Sequence, residues 1–303
     1  MMTRIRQFMF VVAAVAMLLG PITTAEAAEE RNYLLATAST GGTYYPVGVA
    51  LSTLVKVKLQ PKQKIGMSAI NSAGSGENIK LLRENEVQFA ILQGLYGAYA
   101  WNGTGPIESE GPQKNLRSVS MLWQNVEHYA VLKKFAKTGT ISDMVALKGE
   151  AMSMGKKNSG TLGSNTVILG NLGVDIEKDY NLIYVGYGPT ADALQNGQIS
   201  GFGIPAGVPA SAVTKAMANL GDDMAILDLN DEQMKQADGG LGLWTRYVIP
   251  AETYPGQKKA INTIAQPNFL GVRADVDEDA VYQITKTVYE NLPFLNAIHG
   301  ATK

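Results

Sequence analysis

The sequence predicts an α/β protein built on parallel sheets and divided into two domains. Three observations carry this expectation. Strand-like and helix-like segments alternate along the chain at the spacing of right-handed βαβ units. The 303 residues exceed the roughly 100–200 residues of one compact domain. Hydrophobic residues make up 46% of the chain against 17% charged, which supplies a packed core and excludes disorder as the main state.

The elements follow in order. Residues 33–40 (YLLATAST) read as a first strand and Gly41-Gly42-Thr43 as a tight turn. From Tyr44 to Leu59, Val47, Leu51, Leu54, Val55 and Leu59 recur on one helical face. Residues 64–70 are a second strand, 71–76 a small polar loop, 77–83 a short helix, 87–92 a third strand and 96–101 a helix. Two strand-like runs, 116–122 and 129–133, then enclose polar residues with no helix between them. Here the chain can cross from one domain to the other. Strands at 150–154, 180–186, 199–204 and 225–229 are followed by helices starting near Thr161, Pro189, Val208 and Asp231. A long β-like run, 260–272, leads to a last helix from about Asp277, with Val281, Ile284, Val288, Leu292 and Leu295 on one face. Asp275, Asp277, Glu278 and Asp279 stand at its start, where carboxylates favour the helix dipole.

Composition narrows the chemistry. The net charge of −1 argues against a nucleic-acid coat, which needs an excess of Lys and Arg on one face. Without cysteine there is no thiol catalysis, no disulfide and no Cys-ligated metal. His128 and His299 are the only histidines, too few for a His-rich metal site. No metal and no cofactor is expected. At the N-terminus, Arg4 and Arg6 precede an apolar run from Phe8 to Leu19, and Ala25-Glu26-Ala27 offers small residues to a signal peptidase. The run spans only about 18 Å as a helix, short of the roughly 30 Å hydrocarbon core. Residues 1–27 are therefore predicted to be a signal peptide cleaved after about Ala27. The mature chain is then soluble, and with no cysteine after the signal it has no lipid anchor.

Catalytic motifs fail on context. Asp275-Val-Asp277-Glu-Asp279 begins like a calcium loop, but Ala280 and Lys286 stand where Gly and Glu belong; helix capping explains the acids. Ser153-Met-Gly-Lys156 and Lys137-Thr-Gly139 match pieces of a penicillin-recognising enzyme in reversed order. Gly155-Lys-Lys-Asn-Ser-Gly160-Thr161 has phosphate-loop glycines without the following Lys. Neither histidine lies near a G-x-S-x-G, which is absent. An exported hydrolase-type enzyme stays open only as an alternative, beside a secreted recognition protein that works without a transporter.

The positive signal is a set of loops. Residues 40–44, 72–76 and 158–161 each join a strand's carboxyl end to a helix start, and all are rich in Gly, Ser, Thr and Asn. Ordinary helix capping uses the same residues. Three such loops, with no catalytic group near them, favour binding without chemistry, because ligands of open parallel sheets sit outside the strands' carboxyl ends. None of the loops contains Arg. An anion would be met by backbone N–H groups at helix starts and by the hydroxyls of Thr43, Ser159 and Thr161. Lys156 and Lys157 are read as rim residues.

These loops resemble those of the TAXI-type solute-binding proteins of TRAP transporters. Ser39-Thr-Gly-Gly-Thr-Tyr-Tyr-Pro-Val-Gly48, directly after the first strand, is similar to that family's opening motif. The resemblance continues through Ser72-Ala-Gly-Ser-Gly-Glu-Asn-Ile-Lys-Leu-Leu82, residues 87–93 (VQFAILQ), Asn158-Ser-Gly-Thr161 and Ile249-Pro-Ala-Glu-Thr-Tyr-Pro-Gly256. Two places depart from it: Ser200-Gly201 where the family usually carries Asp-Ala, and the loop 202–209 (FGIPAGVP). The resemblance implies a two-lobed periplasmic binding protein of type II-like fold, each lobe a mainly parallel sheet flanked by helices, hinged by crossing strands. It places lobe I at 28–123 plus 266–303 and lobe II at 124–265. It implies a periplasmic monomer that binds a small carboxylate, glutamate or a related dicarboxylate, and delivers it to an ion-gradient-driven TRAP permease. Carried over by position, Gly42, Thr43 and Tyr44 would contact the ligand, with Ser72, Ser75 and Gln93 behind them. Ser159, Gly160 and Thr161 would close from the second lobe. Tyr184, Pro205 and Val208 are added from their strand-end placement.

Overall fold

The computed structural model describes residues 29–303; the predicted signal peptide, 1–27, lies outside the described residues. Ten strands form one sheet: β1 (Arg31–Ala36), β2 (Ile65–Ile70), β3 (Phe89–Gln93), β4 (Leu116–Leu132), β5 (Ala151–Ser153), β6 (Asn181–Leu182), β7 (Gly201–Ala206), β8 (Met224–Ile226), β9 (Thr245–Ile249) and β10 (Ile261–Arg273). Their order is β2-β1-β3-β10-β4-β7-β5-β6, with β8 on β4 and β9 on β10. The outer groups are parallel: β2-β1-β3 in the first half and β7-β5-β6 in the second. The long strands β4 and β10 run antiparallel between them and belong to both halves. This is the two-lobed α/β architecture expected from the sequence.

Burial explains why the strands read as they do. All five residues of β3 and all six of β7 are buried, as expected for parallel strands covered on both faces. In the first half, Leu35, Ile65, Phe89 and Ile91 pack against Val47, Leu51 and Val55 of the helix Tyr44–Lys58. In the second, Phe202 and Ile204 pack with Val213 and Met217 of the helix Ser211–Leu220.

The structure corrects the sequence reading where polar residues meet tertiary contacts. The runs 116–122 and 129–133 are one 17-residue strand, β4. The polar residues between them, Asn125, Glu127 and His128, are buried, and the strand stays continuous because β10 and β7 pair with it there. Opposite Asn268, β4 has one residue more than β10, a bulge between the pairs Pro267–Gln124 and Phe269–Met121. Bulges bend a strand and re-aim its side chains, and this one lies two residues before Asn125. The predicted last helix is two, Glu278–Glu290 and Leu292–Ile298. The second has a proline at its start, which cannot donate to a continuing helical ladder. The strand β9 and the helix Ile141–Val145 have no counterpart in the sequence reading.

Asp277 caps the helix Glu278–Glu290 by accepting the Ala280 N–H at 2.8 Å, and its carboxylate also pairs with Arg31. Removing such a cap costs roughly 0.5–2 kcal/mol, whereas an exposed ion pair is worth about 0–1 kcal/mol. Asp277→Ala should lower unfolding stability by about 1–2 kcal/mol in denaturant titration, and Asp277→Asn, which keeps the cap, by less than half as much. Equal losses would assign the effect to the ion pair.

Candidate binding cleft

A parallel sheet sends every strand's carboxyl end to one edge. Here the edges of the two halves face each other across a narrow cleft. Segments that follow the parallel strands line it: Ser39 and Gly42–Tyr44 after β1, Ala73–Ser75 after β2, Gln93 at the end of β3, Gly160 and Thr161 after β5, Tyr187 after β6, and Pro205 and Ala206 at the end of β7. Asn125 of β4 completes the lining. None of these residues is charged.

Four helices start at the cleft: Tyr44–Lys58, Ser75–Arg83, Gly160–Asn171 and Tyr187–Gln195. The first N–H groups of a helix have no carbonyl of their own helix to bond, and they carry its partial positive charge. Only at Ser159 does the N-cap side chain take one of them; Thr43, Gly74 and Gly186 provide no side-chain cap. A fifth helix, Gly94–Asn102, starts behind Gln93, where its Leu95 N–H is taken by Gln266 Oε1 at 2.9 Å. In two of the four, a first-turn N–H is likewise taken, Glu77 N by the Asn158 carbonyl and Tyr187 N by Ser39 Oγ.

Hydrogen bonds join the halves directly. Tyr187 N donates to Ser39 Oγ at 3.1 Å and Gly207 N to Thr43 Oγ1 at 3.0 Å. Glu77 N donates to the Asn158 carbonyl at 2.9 Å. Gln93 Nε2 donates to the Gly160 carbonyl at 2.9 Å and to Ser164 Oγ at 3.0 Å. Gln266 Nε2 donates to the same Ser164 Oγ at 3.0 Å.

Of the residues singled out from sequence, Gly42, Thr43, Tyr44, Ser75, Gln93, Gly160, Thr161 and Pro205 line the cleft. Four do not. Ser72 is buried behind the loop, where its hydroxyl donates to Thr37 O at 2.9 Å and accepts Gly74 N at 3.0 Å. Ser159 caps its helix through Leu162 N at 3.0 Å while donating to Lys156 O at 2.6 Å. Tyr184 is exposed on the surface under Lys157, whose Nζ lies 5.0 Å from the ring centre. Val208 faces a separate pocket beside Trp123 and Tyr247.

The hydroxyls expected to meet an anion are already engaged. Thr161 Oγ1 bonds Tyr187 Oη at 2.7 Å, and that phenol donates to the Pro205 carbonyl, also at 2.7 Å. Thr43 Oγ1 is held by Gly207. These hydroxyls build the cleft wall. Gly42 has a tertiary reason to be glycine: a Cβ there would lie 3.0 Å from the Tyr187 ring. At Gly160 a Cβ would lie 2.8 Å from the Gln93 amide.

Sequence reasoning missed Ser39, Asn125 and Tyr187 as lining residues. Ser39 lay inside the quoted motif. Tyr187 follows a strand end and opens a helix, the same signal that picked out Thr43. Asn125 gave no signal, because it sits mid-strand and reaches the cleft only through the crossing of β4.

Below Asn125 on the same strand, Glu127 is buried with Trp244 Nε1 donating to its Oε1 at 3.1 Å and no partner at Oε2. Burial pushes its carboxyl up to about 8. His128, on the opposite face, accepts from or donates to Tyr254 Oη at 2.7 Å through Nε2 and contacts the Val126 and Ile204 carbonyls through Nδ1. Burial lowers its imidazole to about 4. Burial likewise raises Tyr44 and Tyr187, so both cleft phenols keep their protons.

Fold and cleft together define the fold class: two α/β halves of the kind found in periplasmic binding proteins, with the candidate site between the facing sheet edges. Residues 35–303 match the model of the NMT1-like family, and the chain belongs to that family. Among solved structures, MatC from Rhodopseudomonas palustris with bound malate is 13% identical, over 90% of this chain and 88% of that one, with a TM-score of 0.56. The periplasmic binding protein BugD is 10% identical over 89% and 86%, with a TM-score of 0.53. A periplasmic transporter structure is 13% identical over 91% and 88%, with a TM-score of 0.52. At these identities the likeness is one of fold.

The buried acid makes stability depend on pH. Glu127 has a folded pKa of about 8 against 4.5 when free, so its proton stays on the folded chain after the unfolded chain has lost it. Stability is then fully present below about pH 4.5 and falls as pH rises toward 8. His128 acts in the other direction: its lowered pKa removes stability as pH falls from 6.5 toward 4. Glu127→Gln should flatten the alkaline side, gaining on the unmodified protein by up to roughly 1.4 kcal/mol per pH unit between pH 5 and 8. Parallel stability curves for the two proteins would show that Glu127 ionises normally.

Proposed function

We propose that the chain is an exported solute receptor. It binds a small carboxylate between two hinged lobes and delivers it to a TRAP-type membrane permease, working as a monomer in the periplasm without catalysing a reaction. Glutamate and related dicarboxylates are the first ligands to try. The observation that carries this reading is the convergence of four helix N-termini on one cleft without a charged side chain. Each N-terminus favours an anion by about 0.3–1 kcal/mol when exposed and up to about 2 kcal/mol when partly buried. Several acting together can replace an arginine. The TRAP partner and the ligand class rest on the TAXI-like motif at 39–48, whose residues Gly42–Tyr44 form the first of these helix starts. We assign lobe I to 28–123 and 266–303 and lobe II to 124–265. The register irregularities between β4 and β10 lie beside the crossings, and hinge motion of this kind needs only a few residues to change conformation.

Titration calorimetry with glutamate, malate and succinate tests the reading. Thr161→Ala removes the hydroxyl that holds the Tyr187 phenol, and it should weaken binding about tenfold, the equivalent of roughly 1.4 kcal/mol. Lys157→Ala should change affinity less than threefold, since its ammonium sits over Tyr184 outside the cleft. Loss of binding in Lys157→Ala with Thr161→Ala unaffected would replace the helix N-termini with a side-chain cation. No binding of any acid would end the carboxylate reading.

Closure gives a second measurement. A ligand present at about 100 times its Kd stabilises the bound form by about 2.7 kcal/mol. The melting temperature should rise and the radius of gyration fall in solution scattering. An unchanged radius with a tightly bound ligand would count against hinged lobes.

A further inference from the structure

We propose that Asn125 is a specificity residue of the cleft, selecting carboxylates that also carry an O–H or N–H donor, a hydroxy or amino acid in preference to the plain acid. The proposal rests on the carboxylate reading above and deepens it.

A chain of hydrogen bonds fixes the orientation of the Asn125 amide. The Gly160 carbonyl can only accept, so the Gln93 group facing it at 2.9 Å must be the NH2. Ser164 Oγ, 3.0 Å from the same nitrogen, is compatible with that assignment. The Gln93 oxygen therefore faces Asn125, whose Nδ2 donates to it at 3.3 Å. That leaves Asn125 Oδ1 as an acceptor, and it has no partner. Asn125 is 2% exposed and lines the cleft. A buried acceptor without a donor is rare in folded proteins and calls for a missing partner.

A bare carboxylate cannot be that partner, because it offers only acceptors. An acid that lies on the helix N-termini with one end and presents a hydroxyl or ammonium to Oδ1 satisfies both. The orientation also depends on closure. Gln93 ends β3 in the first half, whereas Gly160 and Ser164 belong to the helix after β5 in the second. When the halves separate, the Gln93 amide loses its two acceptors and Asn125 loses its fixed orientation. Discrimination at Asn125 therefore belongs to the closed form.

The test is calorimetry on paired acids that differ by one donor, L-malate against succinate and L-glutamate against glutarate. The unmodified protein should bind the donor-bearing member of at least one pair tenfold or more tightly. Asn125→Leu should reduce that preference to within threefold, whatever it does to the affinity for the plain acid. If Asn125→Leu does not fold, Asn125→Ala carries the same comparison. Equal binding within both pairs by the unmodified protein overturns the proposal and leaves the carboxylate reading standing. A preference that survives in the variant also overturns it, placing the donor elsewhere. Failure of all four acids to bind instead removes the carboxylate reading and this inference with it.

Discussion

The geometric polarity of parallel strands is the constraint on which the rest of this structure depends. Each parallel strand ends where its following helix begins, so carboxyl ends and helix N-termini collect along one sheet edge. Two such edges, in β2-β1-β3 and β7-β5-β6, are turned toward each other by the shared strands β4 and β10. The cleft, its four helix starts and its lack of charged side chains all follow from that arrangement. On the proposed reading, an anion would be met there by main-chain dipoles, and the side chains around it serve to shape the cleft.

Those side chains are largely committed to the protein itself. Thr161 holds Tyr187, Tyr187 reaches Pro205, and Thr43 holds Gly207. A hydroxyl that already donates to a carbonyl has less left to offer a ligand, but it fixes the wall against which the ligand must fit. The glycines serve the same end. Gly42 leaves space for the Tyr187 ring and Gly160 for the Gln93 amide, so small residues in the two loops permit the halves to meet.

The crossing strands are built differently. Asn125, Glu127, His128, Gln266 and Asn268 are all buried along β4 and β10, a costly set unless each finds a partner. Several do so only because elements from both halves arrive there: Gln266 bonds Leu95 N and Ser164 Oγ, and Tyr44 Oη donates to Asn268 Oδ1 at 2.5 Å. A shifted register would strand the paired groups of this set at once, although Asn125 Oδ1, Glu127 Oε2 and Asn268 Nδ2 stay without a partner.

How much was legible in the sequence depended on distance along the chain. The sequence by itself determined what local chemistry determines. Apolar runs such as VQFAIL and the helical stripe Val47, Leu51, Val55 marked strands and helices, and Gly, Ser and Thr clusters after strand ends marked the loops that now line the cleft. Eight of the twelve residues taken from the family resemblance and from strand-end placement sit in its wall, because strand-to-helix turns in a parallel sheet share one edge whatever the rest of the chain does. Only the tertiary structure decided the remainder. Residues 123–128 looked like a break because Gln124, Asn125, Glu127 and His128 crowd one short stretch and resemble a loop until β10 and β7 pair with it. Asn125 and Tyr187 became cleft residues, and Ser159 and Tyr184 did not, because a side chain's role there follows from which distant partner it meets. That information lies in the three-dimensional contacts between segments up to two hundred or more residues apart, as between Tyr44 and Asn268, and a local pattern cannot carry it.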